Sequence, residues 1–169
     1  MKRLIPVLMI ILLVLGWGCV GTGGNGGNGG NGGNDDNKDI AVTIEIPPGW
    51  EERKAEGNII LYDLVNNQGG FFFLTKDDAM GKNLEEHVER KKSFYQEQYK
   101  DFELLGTKEL SIDGRAALEI TYTTNKTKNK DAYVKIGQNV FVFKLVTGEA
   151  NLDDILDDYH WILESAKFK

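Results

Sequence analysis

A tract of glycine and asparagine near the N-terminus constrains the fold of this chain more than any other feature. Residues Gly21 to Asn34 are built on a Gly-Gly-Asn repeat, and the polar run Asp35 to Asp39 follows. Because this stretch has no apolar side chains to bury, it cannot offset the entropy cost of ordering the chain. The sequence therefore predicts a flexible linker over residues 19–39 and confines the folded part to residues 40–169.

The segment before the linker is typical of a secretory leader. Lys2 and Arg3 form a basic start, and Leu4 to Leu15 are almost wholly apolar. This run is shorter than the ~18–20 residues that a helix needs to cross a bilayer. Residues 1–18 resemble a lipoprotein signal peptide, which implies cleavage before Cys19 and a lipid on its sulfur. Trp17 departs from that pattern, so simple cleavage and an uncleaved anchor remain open as alternatives.

The charge balance restricts the partners of the folded part. The formal net charge is −6, and it becomes more acidic when the two basic residues of the leader are removed. An acidic domain repels phosphate backbones and anionic headgroups, so nucleic acid is not an expected partner. We expect contact with the membrane to come through a lipid on Cys19, which places the protein outside the cytoplasm at the cell membrane surface. Cys19 is the only cysteine, so the folded part has no internal disulfide.

Alternation of apolar and polar residues predicts strands along most of residues 40–169. Polar turns separate them, and Asp113-Gly114 is a strong hairpin signal. Rings on both faces of Phe71 to Phe73 indicate a sheet covered on both sides. The predicted strands are 40–46, 59–65, 71–75, 102–112, 116–122, 132–136 and 140–147, with a polar loop over 124–131.

Two helices are predicted. Asn83 can cap a helix over residues 84–99, and Asn151 can cap one that runs to about residue 166. The second has a clear apolar face. Together these elements predict an α+β fold, an antiparallel β-sheet meander covered by helices on its faces in an α/β/α sandwich.

Three segments resemble the PsbP/Mog1-like superfamily, which includes envelope lipoproteins. They are Ile46-Pro47-Pro48-Gly49-Trp50, the hairpin Ile112-Asp113-Gly114-Arg115 leading into Leu118 to Tyr122, and the close of the last helix at Ser165 to Phe168. The resemblance covers about residues 40–168 and implies the fold. These are turn and packing features, so it implies no activity.

No catalytic pattern is present in the sequence. The single cysteine lies in the leader region, and Ser93, Ser111 and Ser165 sit in no triad or elbow motif. The glycine repeat feeds neither a strand nor a helix, so it is not a phosphate-binding loop. We therefore expect a protein that is not an enzyme and uses no cofactor.

The acidic face of the last helix is a candidate cation site. Like-charged residues one turn apart repel each other unless a cation or the helix dipole offsets the repulsion. The candidate metal ligands are Asp153, Asp154, Asp157, Asp158 and His160. The alternative is that these residues simply face water. His87, which lies beside Glu86 and Glu89 on the first helix, is likewise expected on a helix surface.

Two further residues are candidates for interaction or modification. Trp161 falls on the same acidic helix face, where an exposed indole would mark a partner surface. Alternatively, another element covers it. Asn125 begins an Asn-Lys-Thr sequon, which is a glycosylation site only in a host with that pathway.

These observations predict a membrane-tethered, extracytoplasmic lipoprotein. It would act as a binding or accessory module for an envelope or membrane complex, with an unknown protein or small ligand as its partner. A metal-ion-binding domain that uses the last helix and a purely structural envelope lipoprotein are the two alternatives.

Overall fold

The computed structural model describes residues 40–54, 59–148 and 151–169. The predicted signal peptide, the lipid site at Cys19 and the linker lie outside the described residues. The described chain forms an antiparallel sheet with two helices and a small strand pair. The elements are β1 (Val42–Thr43), β2 (Trp50–Glu52), β3 (Ile60–Asn66), β4 (Phe71–Asp78), α1 (Leu84–Gln98), β5 (Glu103–Ile112), β6 (Arg115–Thr124), β7 (Thr127–Ile136), β8 (Asn139–Gly148), α2 (Leu152–Ser165) and β9 (Lys167–Phe168).

The main sheet has seven strands in the order β2-β3-β4-β8-β7-β6-β5, and every neighbouring pair is antiparallel. The prediction of a single meander is therefore wrong. The chain makes one meander from β2 to β4, crosses through α1 to the far edge, and returns by a second meander from β5 to β8. The return brings β8 against β4, a pairing between distant parts of the sequence.

Tight turns set the register of the second meander. Asp113 and Gly114 both have positive φ, as the two-residue turn of a hairpin requires. Asn125 and Lys126 adopt the same left-handed conformation between β6 and β7. The loop predicted over residues 124–131 is therefore wrong, because the chain reverses within two residues and the polar residues that follow belong to β7.

The central strands of the sheet are buried on both faces. On one face, α2 contributes all five of its buried residues to the larger core, where they meet alternate strand residues such as Phe141 and Phe143. On the other face, Val88 of α1 packs with the intervening residues, including Val140 and Val142. Because successive strand side chains point to opposite faces, each helix covers one face of the sheet.

The capping predictions differ in outcome. Asn83 caps α1 through a capping box in which its Oδ1 accepts from the N–H of Glu86 at 2.8 Å. Asn151 precedes α2, but its side chain makes no capping bond. Its Nδ2 instead donates to the carbonyl oxygen of Gln68 at 2.9 Å, which ties the start of α2 to the β3–β4 turn.

The first predicted strand is much shorter than expected. Of residues 40–46, only Val42–Thr43 form a strand, and this strand pairs with β9 outside the main sheet. Ile44 is half-buried, and Ile46 is exposed. The strand at Trp50–Glu52 was not predicted, because three residues are too few for a periodic signal.

Candidate functional site

One side of α2 faces a groove. Asp157, His160, Trp161 and Glu164 follow each other at the i, i+3, i+4, i+7 spacing that places side chains on one stripe of a helix. The buried face of α2 carries a different set of residues, which includes Ile155, Tyr159 and Ile162. The stripe is therefore not part of the core and can contact other groups.

The groove lies between this stripe and the β1–β9 strand pair. It is open to solvent and has a volume of about 1010 Å³. Its lining residues are Thr43, Ile44, Glu45, Asp157, His160, Trp161, Glu164, Ser165, Lys167 and Lys169. The structure thus brings Asp157, His160 and Trp161 of the predicted site residues together in one place.

Trp161 is the larger of the two large apolar side chains that line the groove, the other being Ile44, and it is 47% exposed. Its indole Nε1 donates a hydrogen bond to Glu45 Oε2 at 3.2 Å. The backbone N–H of Glu45 in turn donates to Ser165 Oγ at 2.9 Å. Both walls of the groove therefore hold the indole in place while leaving much of it in water.

Charged groups surround the indole. Glu45, Asp157 and Glu164 contribute carboxylates, and Lys167 and Lys169 contribute ammonium groups. Lys167 donates a hydrogen bond to Asp113 Oδ1 at 3.0 Å. An indole among carboxylates favours a basic side chain, through cation–π attraction and through ion pairing. The groove can therefore bind a segment that presents a lysine or arginine beside an apolar residue.

The acidic residues of the metal prediction do not form a ligand set. Asp153 and Asp154 are exposed in the first turn of α2. Asp158 points away from the groove and accepts a hydrogen bond of 2.7 Å from Trp50 Nε1. Across residues 40–54, 59–148 and 151–169, no group of three His, Cys, Asp or Glu side chains is arranged to hold a metal ion. Divalent cation binding stays a prediction.

The sequon asparagine lies at an exposed hairpin turn. The backbone N–H of Asn125 donates to Asp101 Oδ2 at 2.7 Å. Glycosylation there stays a prediction. Within the described part of the chain, neither helix combines the length and apolar character needed to cross a membrane.

The sequence pattern does not indicate the buried polar cluster beneath α1. Asp131 is fully buried, and its Oδ2 accepts hydrogen bonds from the hydroxyls of Tyr95, Tyr122 and Tyr133 at 2.8, 3.1 and 3.0 Å. Lys144 lies opposite Asp131 in the β7–β8 register, and its Nζ is 3.7 Å from Oδ2. The predicted loop concealed this cluster, because it kept Asp131 out of a strand.

The surroundings raise the pKa values of the tyrosines and of Lys144 in this cluster. Burial raises the pKa of Tyr95 to about 12, and the charge of Asp131 acts in the same direction. Burial alone would lower the pKa of Lys144, but Asp131 and Tyr95 together outweigh it and raise the pKa. The tyrosines therefore stay neutral donors and Lys144 stays charged. These are the features of a structural polar core.

His87 also differs from its prediction. It is fully buried on the inner face of α1, where its ring packs near that of Tyr133 at a centroid distance of 6.1 Å. Burial lowers the pKa of His87, and the charges of Lys91 and Arg90 add to that effect.

Comparison with known proteins places this architecture in a recognised fold. No family model matches the sequence, and no curated protein matches it. Solved structures do match. LpqN of Mycobacterium tuberculosis, described as involved in cell envelope biogenesis, has a TM-score of 0.59 at 13% identity, over 80% of this chain and 87% of its own.

Two further structures match to a similar degree. The cyanobacterial PsbP (CyanoP) of Synechocystis has a TM-score of 0.53 at 12% identity, over 85% of this chain and 98% of its own. PA94 of Pseudomonas aeruginosa, a protein of unknown function, has a TM-score of 0.52 at 17% identity, over 75% and 81%. At these identities the similarity concerns the fold. The described domain has the PsbP/Mog1-like fold, which confirms the resemblance seen in the sequence.

Proposed function

We propose that this protein is a non-enzymatic, membrane-tethered module outside the cytoplasm that binds a partner protein through the α2 groove. The N-terminal sequence supports the tether, since a basic start and a short apolar run lead to Cys19 and a glycine-rich linker. Such a chain holds its folded domain near a membrane while leaving it free to reorient. The domain then needs a surface that recognises its partner.

The similarity to LpqN supports this cellular location. LpqN is described as involved in cell envelope biogenesis, and it shares the fold over most of both chains. Shared fold alone does not transfer a role, because one fold hosts many functions. Combined with the leader-like N-terminus, it favours an accessory role in an envelope or membrane complex.

Trp161 is the observation that carries the proposed binding surface. Tryptophan is enriched among the residues that contribute most to binding energy at protein interfaces. Here its indole is held by Glu45 and remains 47% exposed in an open groove. We infer a partner segment that covers the indole and places a basic side chain near Asp157 and Glu164.

Site-specific photo-crosslinking in membranes tests this surface. A benzophenone amino acid at position 160, inside the groove, should give one defined adduct with a partner protein. The matched control carries the same group at position 153, which is exposed on the same helix but lies outside the groove lining. We expect no adduct of that size from the control.

A second variant connects the adduct to the indole. Trp161→Ala in the position-160 protein should reduce the adduct by at least about tenfold, as expected for loss of a central interface residue. Equal adducts from positions 153 and 160, or an adduct that is unchanged in Trp161→Ala, would contradict a partner site in the groove.

A further inference from the structure

The two edges of the main sheet differ in how much backbone they expose. β2 closes one edge with three residues, whereas β5 forms the other edge over ten. Residues Glu103 to Glu109 of β5 are all exposed. The helices make their main contacts elsewhere, since α1 packs on β6 and β7 and α2 packs on β8. From Glu103 to Glu109 this edge strand therefore has solvent on both faces, whereas Leu110 and Ile112 pack towards the core.

The register defines which backbone groups of β5 point outward. In a hairpin with the two-residue turn Asp113-Gly114, the closing pair Ile112 and Arg115 exchanges hydrogen bonds, and such pairs then alternate along the ladder. Lys108 therefore directs its N–H and C=O towards β6. The backbone N–H and C=O groups point away from the sheet at Thr107, Glu109 and Ser111. No described strand pairs with these groups. Together they form a regular row of donors and acceptors.

We propose that the outer edge of β5, from Thr107 to Ser111, binds an extended segment of a partner protein as an added strand, with a basic side chain opposite Glu109. Backbone hydrogen bonds to a strand edge supply affinity in this mode of recognition, and cross-strand side chains supply selectivity. The site is separate from the α2 groove, and neither depends on the other.

A second copy of this chain is a poor occupant of the same edge. In a symmetric antiparallel pair of two β5 strands, all the outward backbone groups are used only if Glu109 of one copy lies opposite Glu109 of the other. Two glutamates then face each other directly. Like charges in that position destabilise a strand pair. A different strand that carries lysine or arginine there makes a favourable pair instead. Charge complementarity therefore selects a heterologous partner.

The strand also carries features that limit indiscriminate pairing. The register shifts between Leu104 and Gly106, and this bulge ends the regular edge. Lys108 places a charge in the middle of the segment, on the opposite face from Glu109. Both are devices that natural edge strands use against aggregation. A selective partner strand is short and matches both charges.

Amide hydrogen exchange of the full-length protein in detergent micelles tests the proposal. The probe is a short synthetic peptide of alternating threonine and valine with a central lysine, and the matched control has glutamate in its place. We expect the lysine peptide to slow exchange at Thr107, Glu109 and Ser111. It should bind about fivefold more tightly than the glutamate peptide, and Glu109→Lys should reverse that order.

A proline variant tests the backbone contribution. Thr107→Pro removes an outward donor but no bond to β6, so it should abolish peptide protection of Ser111 while the protein stays folded. Trp161→Ala should leave protection unchanged, which separates this site from the groove. Equal binding of both peptides, no protection of the outward amides, or their protection by self-association alone would overturn the proposal.

Discussion

Trp50 and Asp158 join the edge of the sheet to the last helix through one hydrogen bond. Trp50 Nε1 donates to Asp158 Oδ2 at 2.7 Å across 108 positions of the chain. Trp50 is buried and Asp158 half-buried, so loss of the carboxylate leaves an indole N–H without its partner. The bond also turns Asp158 away from the groove that Asp157 lines.

Substitution of Asp158 should therefore destabilise the fold more than substitution of its neighbour. We expect Asp158→Ala to lower the free energy of unfolding by about 1–2 kcal/mol, as for a bond to a charged acceptor. Asp157→Ala, at an exposed position, should change it by less than about 0.5 kcal/mol. Urea unfolding of both variants measures the difference. Equal losses would show that the Trp50 contact contributes nothing specific.

The buried carboxylate of Asp131 should be among the most sensitive positions in the domain. Asp131→Ala leaves the hydroxyls of Tyr95, Tyr122 and Tyr133 without an acceptor and Lys144 without its counter-charge. The side chain of Lys144 is 28% exposed, which moderates the cost. We expect a loss of about 2–4 kcal/mol.

Tyr122→Phe is the matched comparison for Asp131→Ala. It removes one of the donors and should cost about 1 kcal/mol in guanidinium unfolding. If the aspartate variant lost no more stability than the phenylalanine variant, Asp131 would not organise the cluster.

His87 should make stability depend on pH on the acidic side of neutrality. Its pKa in the folded protein is lowered, chiefly by burial, below the value of about 6.5 for an unfolded chain. In the window between the two values the unfolded state binds more protons, so stability falls as the pH decreases from about 6.5 to the folded pKa. Above pH 6.5 His87 causes no further change in stability with pH.

The two histidines of the chain allow a matched test of this dependence. His87→Gln should reduce the loss of stability between pH 7.5 and pH 5 in urea unfolding. His160→Gln, at an exposed site, should leave the loss as it is in the unsubstituted protein. The opposite pattern would show that buried His87 does not control the acid response.

A side chain at Gly70 should destabilise the domain. A Cβ at this position would lie 2.7 Å from Ile155 Cδ1 and 3.1 Å from Trp50 Cη2. Gly70→Ala should cost about 1–3 kcal/mol through overpacking against α2. Gly106→Ala, where nothing lies within 4 Å, is the control and should be neutral or slightly stabilising. Thermal unfolding of both proteins provides the comparison, and equal midpoints would contradict close packing at Gly70.

Local sequence signals predicted the elements that are set by local physics. The apolar period of α2, the cap at Asn83 and the Asp113-Gly114 hairpin all follow from short-range rules, and the structure confirms them. Trp161 was located on its helix face by the same periodicity. Its exposure could not be predicted, since that depends on where β1 and β9 run.

The missed features depend on contacts between distant residues. The pairing of β4 with β8 follows from the crossover through α1, which no local pattern encodes. The Asp131 cluster required the correct register of β7, and that register depends on a turn in which Asn125 and Lys126 both have positive φ. Lysine is rarely left-handed, so the turn gave only a weak signal.

Mass spectrometry of the protein extracted from membranes is the most direct test of tethering, on which the proposed function depends. We expect a chain that begins at Cys19 and carries a lipid on that residue, and we expect Cys19→Ser to release the protein from the membrane fraction. An intact chain that begins at Met1, or a chain with an unmodified Cys19, would contradict the lipid anchor, and absence of the protein from the membrane fraction would contradict tethering itself.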